Sequence, residues 1–145
     1  MTIDDALVLT NRGMIAFDAV LGTATLLAPR QTLWVLGHER ASADAEALFR
    51  RCGPIWLTFA AAHTLAAVRG EAHDWWALAW LRGTEVATDA VWAATSPGFT
   101  RPGARVGMFL AGVANTAMAI GFGRRATRRP PSGILRAWEA VRGAS

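Results

Sequence analysis

VGMFLAGVANTAMAIGFG, residues 106–123, decides how the chain is read. Eighteen residues pass without a formal charge, and the apolar residues lie all round the helix they would form instead of on one stripe. That pattern marks a helix buried on every side or lying in lipid. Three further stretches resemble it: GMIAFDAVLGTATLLAP (13–29), GPIWLTFAAAHTLAAVR (53–69) and WWALAWLRGTEVATDAVWAAT (75–95). Each has the length that spans the hydrocarbon core of a bilayer at its short end. The expected fold is therefore all-α, a four-helix transmembrane bundle over residues 1–123. The rival, a water-soluble four-helix bundle, needs a polar outer face on each helix, and these segments lack one.

The punctuation fits. Pro29 closes the first segment and Pro54 opens the second, where a missing N–H costs nothing. Ser96-Pro97-Gly98 ends the third, and Arg101-Pro102-Gly103 leads into the fourth. Trp34, Trp56, Trp75, Trp76 and Trp92 fall near segment ends, where an indole prefers the interface. Two shorter pieces lie outside the spans. Residues 42–51 (SADAEALFRR) read as an amphipathic loop helix, acidic at Asp44 and Glu46 and basic at Arg50 and Arg51, matching its dipole. Residues 124–145 read as a basic tail carrying a C-terminal interfacial helix, with Ile134, Leu135, Trp138 and Val141 on one face; the same face also suits docking on a partner or folding back on the bundle.

Composition narrows the class. The chain has 145 residues, 52% hydrophobic and 18% charged. One cysteine, Cys52, excludes a disulfide framework and a cysteine-clustered metal centre. All 15 basic residues are Arg, with no Lys and no Tyr, a usage that fits a GC-rich bacterial genome. The net charge of +4 does not read as a nucleic-acid interface, because six Arg crowd into the last 22 residues, directly after an apolar helix. Such a cluster is the usual cytoplasmic flank of a span. Eight Arg fall on the side of the termini and six on the other, which puts both termini in the cytoplasm and the protein in a bacterial inner membrane. The start, MTIDDALVLTN, has no basic n-region, so the first span is expected to stay as an anchor.

The polar residues within the spans carry whatever chemistry there is: Asp18, His63, Arg82, Glu85, Asp89 and Asn115. Charge at membrane depth turns to the bundle interior or to water. Arg82, Glu85 and Asp89, at i, i+3 and i+7, fall within about 60° of one another on one face. His63, Glu85 and Asn115 lie near the middle of their spans. Asp18 and Arg82 lie at one level in spans of the same direction, which predicts an ion pair between them. Asp89 is expected toward the outer side, within reach of Arg51 or the loops. Three carboxylates against one deep guanidinium leave at least one to be neutralised by a proton, by His63 or Arg51, or by a ligand, and Glu85 is the candidate for the proton.

These residues support a relay for protons or cations, a pocket for a polar head group, or a network that only fixes helix packing. His63 could hold haem, chlorophyll or a metal, but no second central His exists and the metal signal is weak, so no metal site is assigned and the cofactor is left unknown. Gly107, Ala111, Asn115, Ala119 and Gly123 recur every four residues, a small-residue stripe for close helix packing within the bundle or in a homo-oligomer. No phosphate loop, dinucleotide fingerprint, nucleophile elbow or zincin motif is present.

The order of parts is a helix ending at Pro29, a short amphipathic stretch, Arg51 before the second helix, Arg82 within the third and a basic tail. Over about residues 5–123 it resembles the small four-helix bacterial membrane proteins of the DoxX-like group. The resemblance implies an accessory subunit in a membrane setting, since some members are implicated in quinone-linked sulfur oxidation. It assigns no catalytic residue, and Glu85 and Asp89 in TEVATD stand outside it. The expected function is a non-catalytic accessory subunit, or a binder of a lipid- or quinone-like molecule, partnered by the bilayer and by another membrane subunit or a second copy. The alternatives are a proton-coupled transporter, or a small membrane enzyme using Glu85 and His63 as acid and base.

Overall fold

Thr2 and Asp5 set where the chain begins to coil. The Thr2 hydroxyl accepts from the Asp5 N–H, and the Asp5 carboxylate accepts from the Thr2 N–H, a reciprocal capping box. In the computed structural model, which describes residues 1–128, the first helix α1 accordingly runs Ile3–Leu27 and starts ten residues before the apolar run expected at 13–29. Ala28 breaks it, and Pro29 opens a separate helix of seven residues, α2 (Pro29–Val35), which the sequence did not announce. The amphipathic loop helix is α3 (Ala43–Arg50), capped by the Ser42 hydroxyl on the Ala45 N–H. Then come α4 (Gly53–Arg69), α5 (Ala72–Thr95) and α6 (Pro102–Arg128). Gly70, at φ +66°, ends α4 in the left-handed conformation that glycine tolerates. Arg69 forks onto Asp74 at 2.7 and 3.2 Å and holds the tight α4–α5 turn.

The described residues form helices and no strands. The long helices make two antiparallel pairs, α1 with α4 and α5 with α6, joined through α4 and α5. The first pair is close because two glycines meet: a Cβ on Gly22 would lie 2.9 Å from the Gly53 carbonyl oxygen and 3.0 Å from the Leu57 nitrogen. In the second pair Gly123 packs on Trp76 and Ala79, and Gly112 faces Asp89. At the end holding the start of α1, Trp75, Leu78, Ala66 and Phe122 form an apolar core. There Leu7 lies on Gly121, and Arg125 reaches Asp4 at 2.5 Å. Past those contacts α1 and α6 part.

Arg124, Arg125 and Arg128 belong to α6, which continues unbroken beyond 123. Arg125 is buried over the Trp75 ring, 4.5 Å from its centroid, and so acts as a clamp inside the fold. The expected interfacial helix around Ile134, Leu135, Trp138 and Val141 lies outside the described residues.

Among the described residues one helix, Pro102–Arg128, is long and apolar enough to cross a membrane, with a mean hydropathy of 1.5. The other three candidate spans do not reach that level. At 17 residues α4 is about 26 Å long, at 1.5 Å per residue. Asp4, Asp5, Arg12 and Asp18 dilute α1, and Asp74, Arg82, Glu85 and Asp89 dilute α5. Burial is nevertheless inverted from the usual pattern. Asn11, Asp18, His63, Arg82, Asp89 and Asn115 are buried, whereas Val20, Leu65, Val68, Trp80, Val91, Phe109 and Leu110 are exposed.

The Gly22–Gly53 crossing leaves no space for a side chain. Gly22→Leu should destabilise the protein by about 1–3 kcal/mol, read as a lowered melting temperature. Gly13→Ala, on the same helix with nothing within 4 Å of its Cβ position, should instead be neutral or stabilising by up to about 1 kcal/mol. Equal melting of the two variants would show that the crossing is not close.

Candidate functional site

Four buried polar residues from three helices form one chain of hydrogen bonds. Asn11 on α1 donates from Nδ2 to the His63 carbonyl oxygen at 3.0 Å. Its Oδ1 lies 2.5 Å from His63 Nδ1, which must therefore carry the proton, an assignment made from the partners. His63 Nε2 is then the acceptor, and it takes the Nε–H of Arg82 at 3.1 Å and Nη2 at 2.7 Å. Arg82 Nη2 also donates to Asp18 Oδ2, completing the ion pair expected from their matched depth. The Phe59 ring faces the guanidinium at 5.4 Å, and the Phe122 ring meets His63 at 5.8 Å.

Both nitrogens of His63 are thus taken by protein groups, so a metal or haem iron would have to displace Arg82 or Asn11. Among the described residues no three His, Cys, Asp or Glu side chains come together as a metal cluster. Asp18 Oδ1, fully buried, has no hydrogen-bond partner among the described residues, so the ionised carboxylate leans on Arg82 alone.

On the other side of Arg82 lies a cleft of about 400 Å³. Where α1 and α6 part, Met14, Phe17 and Leu21 face Gly107, Met108, Ala111 and Met118 across it. Trp56 and Trp92 close its sides. Val35 and Leu36, at the end of α2, also line it. Arg82, Glu85, Asp89 and Asn115 form its polar lining. Asp89 does not reach toward Arg51, which is exposed beside α3. It accepts instead from Asn115 Nδ2 at 2.9 Å, because α5 and α6 pack closely enough at Gly112 to bring the two side chains together.

The structure therefore divides the six polar residues in two. Asp18, His63 and Arg82 form an internal network, and Arg82, Glu85, Asp89 and Asn115 line the cleft. His63 does not line it, so Glu85 and His63 do not face a common space. The small-residue stripe also divides: Gly123 packs on α5, Asn115 bonds Asp89, Ala119 is half-buried, and Gly107 and Ala111 line the cleft. Asn11 is a member that sequence reasoning missed. Its signal, a polar residue 52 positions before His63 on a helix of opposite direction, becomes visible only once α1 is extended back to Ile3.

A second cluster joins the loop after α2 to the end of α5 and the α5–α6 turn, beside the lining residue Trp92. His38 Nε2 accepts from Trp92 Nε1 at 3.1 Å and lies 3.2 Å from the Ser96 hydroxyl, with Phe99 against its ring at 4.3 Å. Gly37, at φ +96°, presents its carbonyl to the Thr100 N–H at 3.0 Å, and a side chain there would collide with Ala104. Arg101 bonds Glu39 at 2.7 Å and lies 4.0 Å over the Trp34 ring. Burial pushes the His38 pKa below the usual imidazole range.

A scan against family models, a search of curated proteins and a search of solved structures each returned no match. Function is argued from the site alone.

Asp18→Asn should cost about 3–5 kcal/mol by leaving the Arg82 charge buried without a counter-ion. The pair Asp18→Asn with Arg82→Gln should cost clearly less than the two single changes added together. Additive losses in this double-mutant cycle would mean that the ion pair contributes nothing.

A second test follows from His38. The folded state resists protonating it, so below about pH 6.5 the unfolded chain binds more protons there than the folded one. Its contribution is complete above that pH and is lost as the pH falls. The acid-side fall in melting temperature should be shallower in His38→Gln than in the parent. Identical slopes would remove His38 from the account.

Proposed function

We propose that the chain is a small integral membrane protein whose cleft holds the polar head of a lipid- or quinone-like molecule, and that it acts as a non-catalytic accessory or binding subunit. The observation that carries this reading is the cleft itself, with apolar walls, a polar lining of Arg82, Glu85, Asp89 and Asn115, and exposed lining residues on both α1 (Phe17) and α6 (Gly107, Ala114), which we read as an opening between those two helices. An amphiphile moving within a bilayer meets such an opening directly, without passing through water. A volume of about 400 Å³ accommodates a ring or a head group and part of a chain.

The membrane setting is supported by the inverted burial and by α6. In this reading α1, α4, α5 and α6 are the four spans, their charges facing inward as charges at membrane depth must. Exposed Phe109, Leu110, Val113 and Ile120 on α6 and Val20 on α1 then face lipid. The Asp4–Arg125 contact puts the start of α1 and the end of α6 on one side. Arg124, Arg125 and Arg128 at that end favour the cytoplasmic face. The DoxX-like resemblance is compatible with this arrangement and adds no residue to it.

A transporter is the second reading, favoured by the two carboxylates in the cleft lining. An acid–base enzyme built on Glu85 and His63 is less well supported, because His63 is turned to Arg82 and Asn11.

The experiment is a titration of the protein in a neutral mild detergent with a short-chain benzoquinone and, separately, with a short-chain phospholipid, read by quenching or shift of tryptophan fluorescence. Binding should saturate. Ala111→Phe, which places a ring in the cleft, should weaken it at least about tenfold while leaving the melting temperature within a few degrees. Saturable binding that Ala111→Phe does not change would place the site elsewhere, and no saturable binding of either molecule would remove this function.

A further inference from the structure

The charge around the cleft is unbalanced. Among the described residues Arg82 is the only cation in its lining, and that guanidinium already donates to Asp18, a carboxylate behind the lining. His63, accepting from Arg82 through Nε2, is the neutral imidazole and adds no charge. The next guanidinium along, Arg105, is turned away onto the carbonyls of Ala93, Ala94 and Ser96, at 2.6, 3.2 and 3.0 Å. Glu85 and Asp89 therefore face the cleft with no basic side chain among the described residues paired to either. Asn115 donates one hydrogen bond to Asp89 and supplies no charge.

The walls complement those carboxylates. Trp56, Trp92 and Phe17 present aromatic rings to the same space. Aromatic faces attract cations through the ring quadrupole, most strongly when water is excluded. Met14, Met108 and Met118 supply polarizable, adaptable contacts that suit bulky organic groups. Two acids, aromatic walls and a flexible apolar surround discriminate by sign of charge. With a neutral or anionic head group the acids would have to be neutralised by protons instead, so a cation is the ligand that the ionised pair favours.

We infer that the cleft selects lipophilic organic cations, amphiphiles bearing a quaternary or protonated amine or an onium centre, which would lie between Trp56 and Trp92 with the positive charge against Glu85 and Asp89. This specificity rests on the reading of the cleft as a ligand site, and among the amphiphiles of that reading it ranks those with a cationic head above a neutral quinone.

Tetraphenylphosphonium and tetraphenylborate, nearly equal in size and apolar surface and opposite in charge, separate the two questions. Each is titrated into the full-length protein in a neutral detergent, with tryptophan fluorescence as readout and the Ala111→Phe variant alongside. Tetraphenylphosphonium should bind roughly tenfold or more tighter than tetraphenylborate. The combined change Glu85→Gln and Asp89→Asn, which keeps shape and the Asn115 hydrogen bond, should abolish that preference. If this variant fails to fold, the comparison of the two ions on the unaltered protein decides by itself.

Equal affinity for both ions, lost in Ala111→Phe, would overturn the cation preference and leave the cleft as a ligand site. The same holds if neither ion binds while a benzoquinone does so in an Ala111-dependent way. Binding of every probe indifferent to Ala111→Phe would overturn the ligand site itself, and the cation preference with it.

Discussion

A guanidinium buried among helices is the constraint on which this fold depends. Arg82 cannot lose its proton, so its position in α5 obliges the neighbouring helices to bring acceptors to it. Asp18 comes from α1 and His63 from α4, and Asn11 fixes the tautomer that makes His63 an acceptor. Three helices are thereby held in register by one side chain. The helices themselves supply little other interlocking at this depth, since the main apolar core lies toward the terminal end around Trp75 and Phe122. The network sets how α1 and α4 sit against α5, and takes no hydrogen-bonding side chain from α6.

That asymmetry produces the cleft. Two tight pairs share one wide contact, between α4 and α5, and are clamped a second time only where Arg125 reaches Asp4 and Leu7 lies on Gly121. Between clamp and loops α1 and α6 have no reason to touch. Gly107 and Ala111 offer no bulk to fill the space, and Phe17 and Met108 border it. The polar residues that the Arg82 network does not consume, Glu85 and Asp89, are left facing it. The loop after α2 then ties to the α5–α6 turn through Gly37–Thr100 and Arg101–Glu39.

Much of this was legible in the residues. Pro54, Pro102 and the Ser96-Pro97-Gly98 turn marked helix ends because proline and glycine act locally. The i, i+3, i+7 spacing of Arg82, Glu85 and Asp89 placed them on one face, and comparison of depth paired Asp18 with Arg82. What failed depended on neighbours in space. Asn11 was hidden because the acidic start was not read as helix, although TIDD holds a capping box. Asp89 found Asn115 instead of Arg51, since the partner was set by the closeness of α5 and α6. The four-residue repeat on α6 drew attention to that helix, whereas the closest crossing uses two isolated glycines, Gly22 and Gly53, that form no pattern in the chain. Arg125 read as tail because charge alone does not reveal that a ring of Trp75 lies beneath it.

The Arg125–Asp4 contact joins residues 121 positions apart and has a consequence for synthesis. The first helix leaves the ribosome long before its partner in the clamp exists. The α1–α4 pair can form once residue 69 has emerged, and the α5–α6 pair only later, so the two halves mature in sequence. The side of α1 that lines the cleft remains without a facing helix until Gly107–Met118 of α6 are made. A nascent chain stopped short of residue 125 would hold both walls of the cleft without the clamp that ties their terminal end. Closing the terminal end is thus the last event in the assembly of the described fold, performed by an arginine near the end of α6 on an aspartate in the first turn of α1.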